Sequence, residues 1–436
     1  MSKFSLIKLG KLAKGYRGVS YTPEQLLEHK TDTSFVLLRS NNIEGGFLNF
    51  IKTQIVPESV VSEEQILVDG DIAVCMSNGS KALVGKSAAY RDIKGRYTVG
   101  AFCSLFRPYD SADSAFLSHV FQSSSFRKHI DFILAGSAIN NLRNKDVEDY
   151  ELIDFNSEEK VTIANILDTL DTQIRETEAI IAKLQQVKQG LLHDLLTRGV
   201  DENGELRPSY EDAPELYKPS ELGLIPKEWN AKSLEEISTI KSGSTPLRAK
   251  AEIYFCSEGG FPWVKTMDLN EDVLVRTDEQ ITQKALDKTS CTLYPKESVL
   301  VAMYGGWEQI GRVAMLAKEA ATNQAISVLI FKSDDIFPEF VLRSLQFNRH
   351  HWKKVAASTR KDPNITKSDV EKFKIAVPDE TNEQQHIVKA YREMIDKINA
   401  EAMTLDKLLS KKSGLMDDLL TGKVRVTELL KQKQAS

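Results

Sequence analysis

Lys188-Gln-Gly-Leu-Leu-His-Asp-Leu-Leu-Thr197 occurs again, with three replacements, as Lys412-Ser-Gly-Leu-Met-Asp-Asp-Leu-Leu-Thr421. The second copy begins 224 residues after the first. Each copy closes a segment whose apolar residues recur four and three apart. The first seam is Ile163, Leu167, Leu170, Ile174, Thr177, Ile181, Leu184, Lys188, Leu191 and Leu195. The second is Ile387, Tyr391, Met394, Ile398, Glu401, Leu405, Leu408, Lys412, Leu415 and Leu419. This is coiled-coil spacing. Because 224 is a whole number of heptads, the two seams correspond position for position. Ser157, followed by Glu158 and Glu159, is the expected N-cap of the first helix, and Gly199 sits just past its end. About 40 residues at ~1.5 Å rise make a rod of roughly 60 Å.

Outward from the helices, the repeat continues. Asn141-Leu142 with Asp146-Val-Glu148 returns as Asn364-Ile365 with Asp369-Val-Glu371. Asp71-Ile-Ala-Val-Cys-Met76 returns as Ser298-Val-Leu-Val-Ala-Met303, and Gly85-Lys86 as Gly311-Arg312. Ahead of each helix lies a mixed α/β region. In the first, strand-like runs are Ser34–Leu38, Ile66–Val68, Asp71–Cys75 and Ala101–Phe106, with a helix over Ser114–Phe132. In the second they are Phe261–Val264, Ser298–Met303 and Ala325–Phe331, with a helix over Pro338–Ala356. Residues 198–226 carry Pro208, Pro214, Pro219 and Pro226 and are expected to be irregular surface chain.

The fold class is therefore α+β: two mixed α/β domains in tandem repeat, separated by two long antiparallel coiled-coil helices about a pseudo-twofold. The expected limits are 1–155 for the first domain and 156–198 for its helix. A linker follows at 199–227, then 228–379 for the second domain, 380–422 for its helix and a tail at 423–436.

Of 436 residues, 41% are hydrophobic and 27% charged, as in a water-soluble globular protein. The N-terminus has no apolar signal core, and no window approaches the roughly 18 apolar residues of a bilayer span. Cys75, Cys103, Cys256 and Cys291 form no CxxC pair and are expected to be core thiols of a cytoplasmic protein, not metal ligands. The net charge of −5 hides two basic stretches. Arg343–Lys374 has three Arg and six Lys against three acidic residues; Lys81–Arg107 has three of each against Asp92. Such stretches fit a phosphate-binding face or a solvated surface.

Catalytic signatures are missing. Gly79-Ser-Lys-Ala-Leu-Val-Gly85-Lys86-Ser87 has five residues between its glycines where a phosphate-binding loop needs four. No HExxH, dinucleotide loop or nucleophile–base pair is evident. Polar loop tips are better represented. In the first domain they carry Arg39, Ser40, Asn42, Asn78, Lys81, Arg96, Tyr97, Asn141, Arg143 and Lys145. In the second they carry Ser242, Ser244, Thr245, Lys265, Thr266, Tyr304, Trp307, Asn323 and Gln324, with Lys353, Arg360 and Lys361 in the basic stretch. These residue types read base edges or hold phosphates. A coiled-coil scaffold whose domains bind other proteins fits the seams equally well, and a self-sufficient nuclease or methyltransferase is the third reading.

Several carriers, in this order, resemble the DNA-specificity (S) subunit of type I restriction–modification systems. They are Lys241-Ser-Gly-Ser-Thr-Pro246, Trp263-Val-Lys-Thr-Met-Asp268, Val299-Leu-Val-Ala-Met-Tyr-Gly305, Thr322-Asn-Gln324, Ile375-Ala-Val-Pro378 before Asn382-Glu-Gln-Gln385, and the paired helix ends. The resemblance implies a non-catalytic subunit of a bacterial or archaeal cytoplasm. Each mixed region would be a target-recognition domain reading half of a split, asymmetric site in double-stranded DNA. The helices would set the spacing and dock two methyltransferase (modification) subunits. Ile163, Leu170, Ile174, Leu184, Leu191, Leu195, Ile387, Met394, Ile398, Leu408, Leu415 and Leu419 would form that seam. Methyl transfer, translocation and cleavage, with S-adenosylmethionine, ATP and Mg, would belong to modification and restriction/translocase partners; this chain would carry no cofactor or metal. Lys265, Thr266, Asn323 and Gln324 fall on the family pattern. The first domain departs from it, lacking a Ser-Gly-x-Thr-Pro segment and showing Arg39-Ser40 where the second has Lys265-Thr266.

Overall fold

The computed structural model of the chain describes residues 5–91, 93–136, 140–356, 364–427 and 430–431. The chain divides into two compact units, Met1–Ala179 with Ala402–Ser436, and Ile180–Glu401. The partition runs through both long helices, because each half of each helix is built into a globular core.

In the first unit, Leu6–Lys8 (β1) pairs with Glu151–Ile153 (β9). Ala13–Arg17 (β2), Cys103–Pro108 (β8), Ile72–Cys75 (β5) and Ser87–Ala89 (β6) form an antiparallel sheet in the order β2-β8-β5-β6. Ser34–Leu38 (β3) lies between Gln54–Pro57 (β4) and Tyr97–Val99 (β7), antiparallel to the first and parallel to the second. The unbroken apolar run of β5 follows from burial on both faces. Ile72, Val74 and Met76 join the core under the helices, while Ala73 and Cys75 join Leu38, Val99 and Leu105 on the other side.

The expected helix over Ser114–Phe132 is two helices, Ser114–Gln122 (α1) and Ser124–Ala135 (α2). Ser123 breaks them: it is extended, and its Oγ accepts the Phe126 N–H at 3.1 Å, so a serine that looked helical caps α2 instead. Ser157–Thr197 (α3) then runs for 41 residues. Its cap is Asn156, not Ser157: Asn156 Oδ1 accepts the Glu159 N–H at 2.9 Å and Glu159 answers to the Asn156 N–H at 3.3 Å.

The second unit repeats this plan. Trp229–Ser233 (β10) pairs with Lys374–Pro378 (β18). Ser238–Ser242 (β11), Ile326–Phe331 (β17), Val299–Ala302 (β14) and Val313–Leu316 (β15) take the places of β2, β8, β5 and β6. Phe261–Val264 (β12) lies antiparallel to Glu279–Ile281 (β13) and parallel to Ala321–Thr322 (β16). The helix expected over Pro338–Ala356 is broken at Asn348 into Pro338–Phe347 (α4) and Arg349–Ala356 (α5). The chain then enters Thr381–Leu420 (α6).

The seams are real. Ile163, Leu167, Leu170, Ile174 and Thr177 are buried in the first unit, and Ile163 and Leu167 pack in one core with Met416 and Leu419. Asp171 meets Lys412 at 2.5 Å and Glu159 meets Arg425, so the facing halves of α3 and α6 are antiparallel there. In the second unit Leu195 joins Ile387 and Tyr391. Gly199 and Gly422 both adopt φ +68° just beyond the helix ends, the left-handed exit that glycine permits.

The linker is better ordered than its prolines suggest. Tyr217–Ser220 and Gly223–Pro226 form a hairpin, and Val200 and Ile225 are buried. Glu383, at the start of α6, ties this segment down. It accepts the Trp229 Nε1–H at 3.0 Å and the Val200 N–H at 3.1 Å and pairs with Arg207, whose side chain is as enclosed as its own. Glu383→Ala leaves the indole N–H and the Val200 N–H without their acceptor, while Arg207 keeps Glu228 at 2.8 Å. A loss of about 1–3 kcal/mol, read by denaturant unfolding, is expected.

Candidate nucleic-acid interface

Four loops meet at one edge of the first unit. The turn after β3 is held by Asn42, whose Oδ1 accepts the Arg39 N–H at 2.9 Å and whose Nδ2 donates to Ile51 O at 2.9 Å. The loop after β5 is reached by Asn78, which donates to Ser40 Oγ at 3.3 Å. Met76 N and Ser77 N both donate to Phe102 O, at 2.8 and 3.1 Å, and Leu142 N donates to Met76 O at 2.8 Å. Asn140 closes the group with a bond to Gly79 O at 3.1 Å.

The second unit reproduces three bonds of that frame. Asp268 Oδ2 accepts the Lys265 N–H at 2.7 Å, as Asn42 does for Arg39. Burial pushes the Asp268 carboxyl up, against the pull of that N–H and the Lys265 charge. Met303 N donates to Ala325 O at 2.8 Å and Ile365 N to Met303 O at 3.0 Å, as Met76 and Leu142 do. Gly85 and Gly311 take φ +85° and +70° at the same point of the same hairpin.

One correspondence was hidden by spacing. A Cβ on Gly243 would fall inside Thr322, and one on Gly18 would fall inside the carbonyls of Val99 and Gly100. Both glycines immediately follow the strand paired to the central one, β2 or β11. Gly18 with Thr22-Pro23 is thus the first domain's counterpart of Gly243 with Thr245-Pro246, lengthened by two residues. Alanine at either glycine forces backbone apart; a cost of about 1–3 kcal/mol in thermal unfolding is expected, from overpacking.

The individual candidates fare differently. Asn42 is fully buried, so it builds the turn and presents nothing outward. Arg96 pairs with Glu58, donates to Asp32 O at 2.9 Å and covers the Phe35 ring. Tyr97 packs edge-on to Phe50 and beside Tyr90. Arg143 and Lys145 stand in solvent but pair with Asp146 and Asp149 at 2.6 and 3.0 Å. Lys265 pairs with Glu279 at 2.9 Å. Arg39, Ser40, Asn78, Thr266 and Asn323 are half-buried, whereas Lys81, Asn141, Ser242 and Gln324 are exposed. Ser244 Oγ lies 2.7 Å from Ser290 Oγ, and Thr245 donates to Gln324. Tyr304 and Trp307 are each 44% exposed. Arg360 and Lys361 lie outside the described residues, as does the Lys353 side chain.

The basic stretches are less free than a charge count suggests. Arg343 is 2% exposed and pairs with Asp272 and Glu339; Arg349 pairs with Glu271. Arg107 pairs with Asp71 and Arg91 with Asp168. Except for Glu339, one helical turn before Arg343, these partners are distant in sequence.

Sequence reasoning missed Phe102. It lay inside an expected strand over Ala101–Phe106, but the strand starts at Cys103, leaving Phe102 at the tip and 70% exposed. Among the described residues, His119, Asp168 and Asp171 gather metal-ligand types. Both carboxylates already face cations, however: Asp168 faces Arg91 at 3.3 Å and Asp171 faces Lys412 at 2.5 Å. Burial would raise the Asp168 carboxyl, but His119 and Arg91 hold it below its ordinary range. The cluster fastens α1 to the long helices.

Known proteins share this organisation. The family model described as type I restriction modification DNA specificity domain matches residues 8–186 and again 226–409. The chain is 34% identical over 200 residues to the type I restriction enzyme EcoKI specificity subunit of Escherichia coli strain K12, covering 45% of this chain and 42% of that one. It is 33% identical over 184 residues to the StySPI specificity subunit of Salmonella potsdam, covering 42% and 40%. These two matches thus span about two-fifths of the relatives' length. The MjaVIII specificity subunit of Methanocaldococcus jannaschii aligns at 22% identity over 98% of this chain and 94% of that one. The type I restriction-modification system S subunit from M. genitalium shares the fold with a TM-score of 0.55 at 16% identity, covering 96% of each chain. A chain from work on complex assembly and conformational transition of the type I R-M system does so with 0.60 at 15%, covering 97% and 99%. No described helix is long and apolar enough to cross a membrane.

Proposed function

We propose, because this chain belongs to the type I restriction modification DNA specificity family, that it is the sequence-specific DNA-recognition subunit of a type I restriction–modification complex. Each mixed domain reads one half of a bipartite, asymmetric site in double-stranded DNA. The carrying observation is the loop edge, built twice on the same backbone bonds with different side chains at its tips. A fixed frame with variable tips is what two readers of different sequences require.

The long helices set the separation of the half-sites and dock two modification subunits. Methyl transfer, ATP-driven translocation and cleavage are assigned to partner chains, with S-adenosylmethionine, ATP and Mg held there. Phosphate contacts supply most of the affinity and make it salt-dependent. Lys81 and the basic residues Lys353, Arg360 and Lys361 are assigned to that task.

The test is reconstitution. The chain alone, given DNA with methyl donor or with ATP and Mg, is expected to modify and cut nothing. Combined with modification subunits, it is expected to direct methylation to one bipartite sequence. Methyl transfer or cleavage by the purified chain alone would overturn the assignment.

A further inference from the structure

We infer that the short tip entering the central strand, Gly100-Ala101-Phe102 in the first domain and Asn323-Gln324-Ala325 in the second, discriminates bases, through an apolar contact in one and an amide in the other. This deepens the DNA-recognition reading and rests on it.

The two tips occupy the same place. Gly100 N donates to Leu38 O at 2.9 Å and Asn323 N to Val264 O at 2.9 Å, each from the residue after the parallel strand. Two residues on, Phe102 O and Ala325 O each accept the methionine N–H of the neighbouring loop at 2.8 Å. The backbone is thus pinned at both ends, and only the side chains between differ. In the first domain the large side chain is Phe102, 70% exposed on a fixed main chain. Burial does not explain it: the ring lines a cavity of about 510 Å3 together with Tyr21, Pro23, Arg39, Ser40 and Asn41. One apolar group framed by hydrogen-bonding groups matches the major-groove edge of an A·T pair, where the thymine methyl adjoins acceptors and a donor. In the second domain the exposed residue is Gln324, and the Thr245 hydroxyl donates to its carbonyl oxygen. That bond sets the orientation of the amide, so its NH2 is presented as a donor to a base acceptor.

The occupant assigned to Phe102 is therefore a thymine methyl in the first half-site. Once the site of the assembled complex is mapped, each thymine of that half-site is replaced by deoxyuridine, which removes only the methyl. At one position this is expected to weaken binding by the wild-type complex about 5–10-fold, the lower part of the range for a base contact. The same replacement should have no effect on a complex carrying Phe102→Ala. Gln324→Ala should relax one position of the second half-site only, with the first unchanged. Both side chains are exposed, so these variants are expected to assemble, and Phe102→Leu should retain part of the methyl dependence. A Phe102→Ala complex that keeps the full deoxyuridine penalty overturns the inference, as does a first half-site without an A·T pair. A wild-type complex with no site preference would instead overturn the DNA-recognition reading itself.

Discussion

Exchanging residues 1–155 for the matching region of another specificity subunit replaces one half-site and leaves the other unchanged. The expectation rests on separate cores. The first domain packs around Phe106, Phe116, Phe126 and Leu152 and the near halves of the long helices, at Ile163, Leu167, Met416 and Leu419. The second has its own core around Trp229, Val299, Phe340 and Trp352, with Leu195 and Tyr391. An exchanged domain must keep the apolar face that meets Ile163 and Leu167, but its loop edge is free to differ. Because each mismatched base pair costs about 1–3 kcal/mol, a half-site of a few pairs read by the wrong domain loses roughly a thousandfold or more in affinity. Motif mapping of the exchanged complex reads this out. A change in both half-sites would show that the domains do not read independently.

Deleting seven residues from each long helix changes the gap between half-sites and keeps both half-site sequences. Seven residues shorten a helix by about 10.5 Å, close to three base-pair steps at ~3.4 Å each. The heptad matters because it preserves the phase of the seam: Leu184 and Lys188 in α3, and Leu405 and Leu408 in α6, are the half-buried positions of their turns, with exposed residues between. A deletion of five residues serves as the control. It turns the following seam by about 140° toward solvent, and the complex is expected not to assemble. An unchanged gap after the seven-residue deletion would remove the helices as the determinant of spacing.

What the sequence made legible is what repeats locally. The seams follow from residues four and three apart, and every position from Ile163 to Leu195 proved less exposed than its neighbours outside the core. Strands over Ser34–Leu38 and Phe261–Val264 were readable because apolar runs between turn residues permit little else. What stayed hidden depends on partners remote in the chain. Arg343 counted as surface charge until Asp272, 71 residues earlier, was found beside it. Arg96 looked like a reader until Glu58 claimed it. Asn42 and Asp268 were one motif in two spellings, visible only once both were seen to accept the N–H three residues back. Gly18 was missed because two extra residues separate it from Thr22-Pro23, although its close approach to Val99 and Gly100 is the same as that of Gly243 to Thr322 and Asn323. The seams alone left a protein-binding scaffold open. Two successive matches to the DNA-specificity model close it.

The most direct measurement is methylome sequencing of host cells with and without this gene, the partner genes being present in both. Loss of methylation at a single motif, made of two unlike half-sites around a fixed gap, is the expected result. Methylation that is unchanged by removal of the gene would contradict a role in reading DNA.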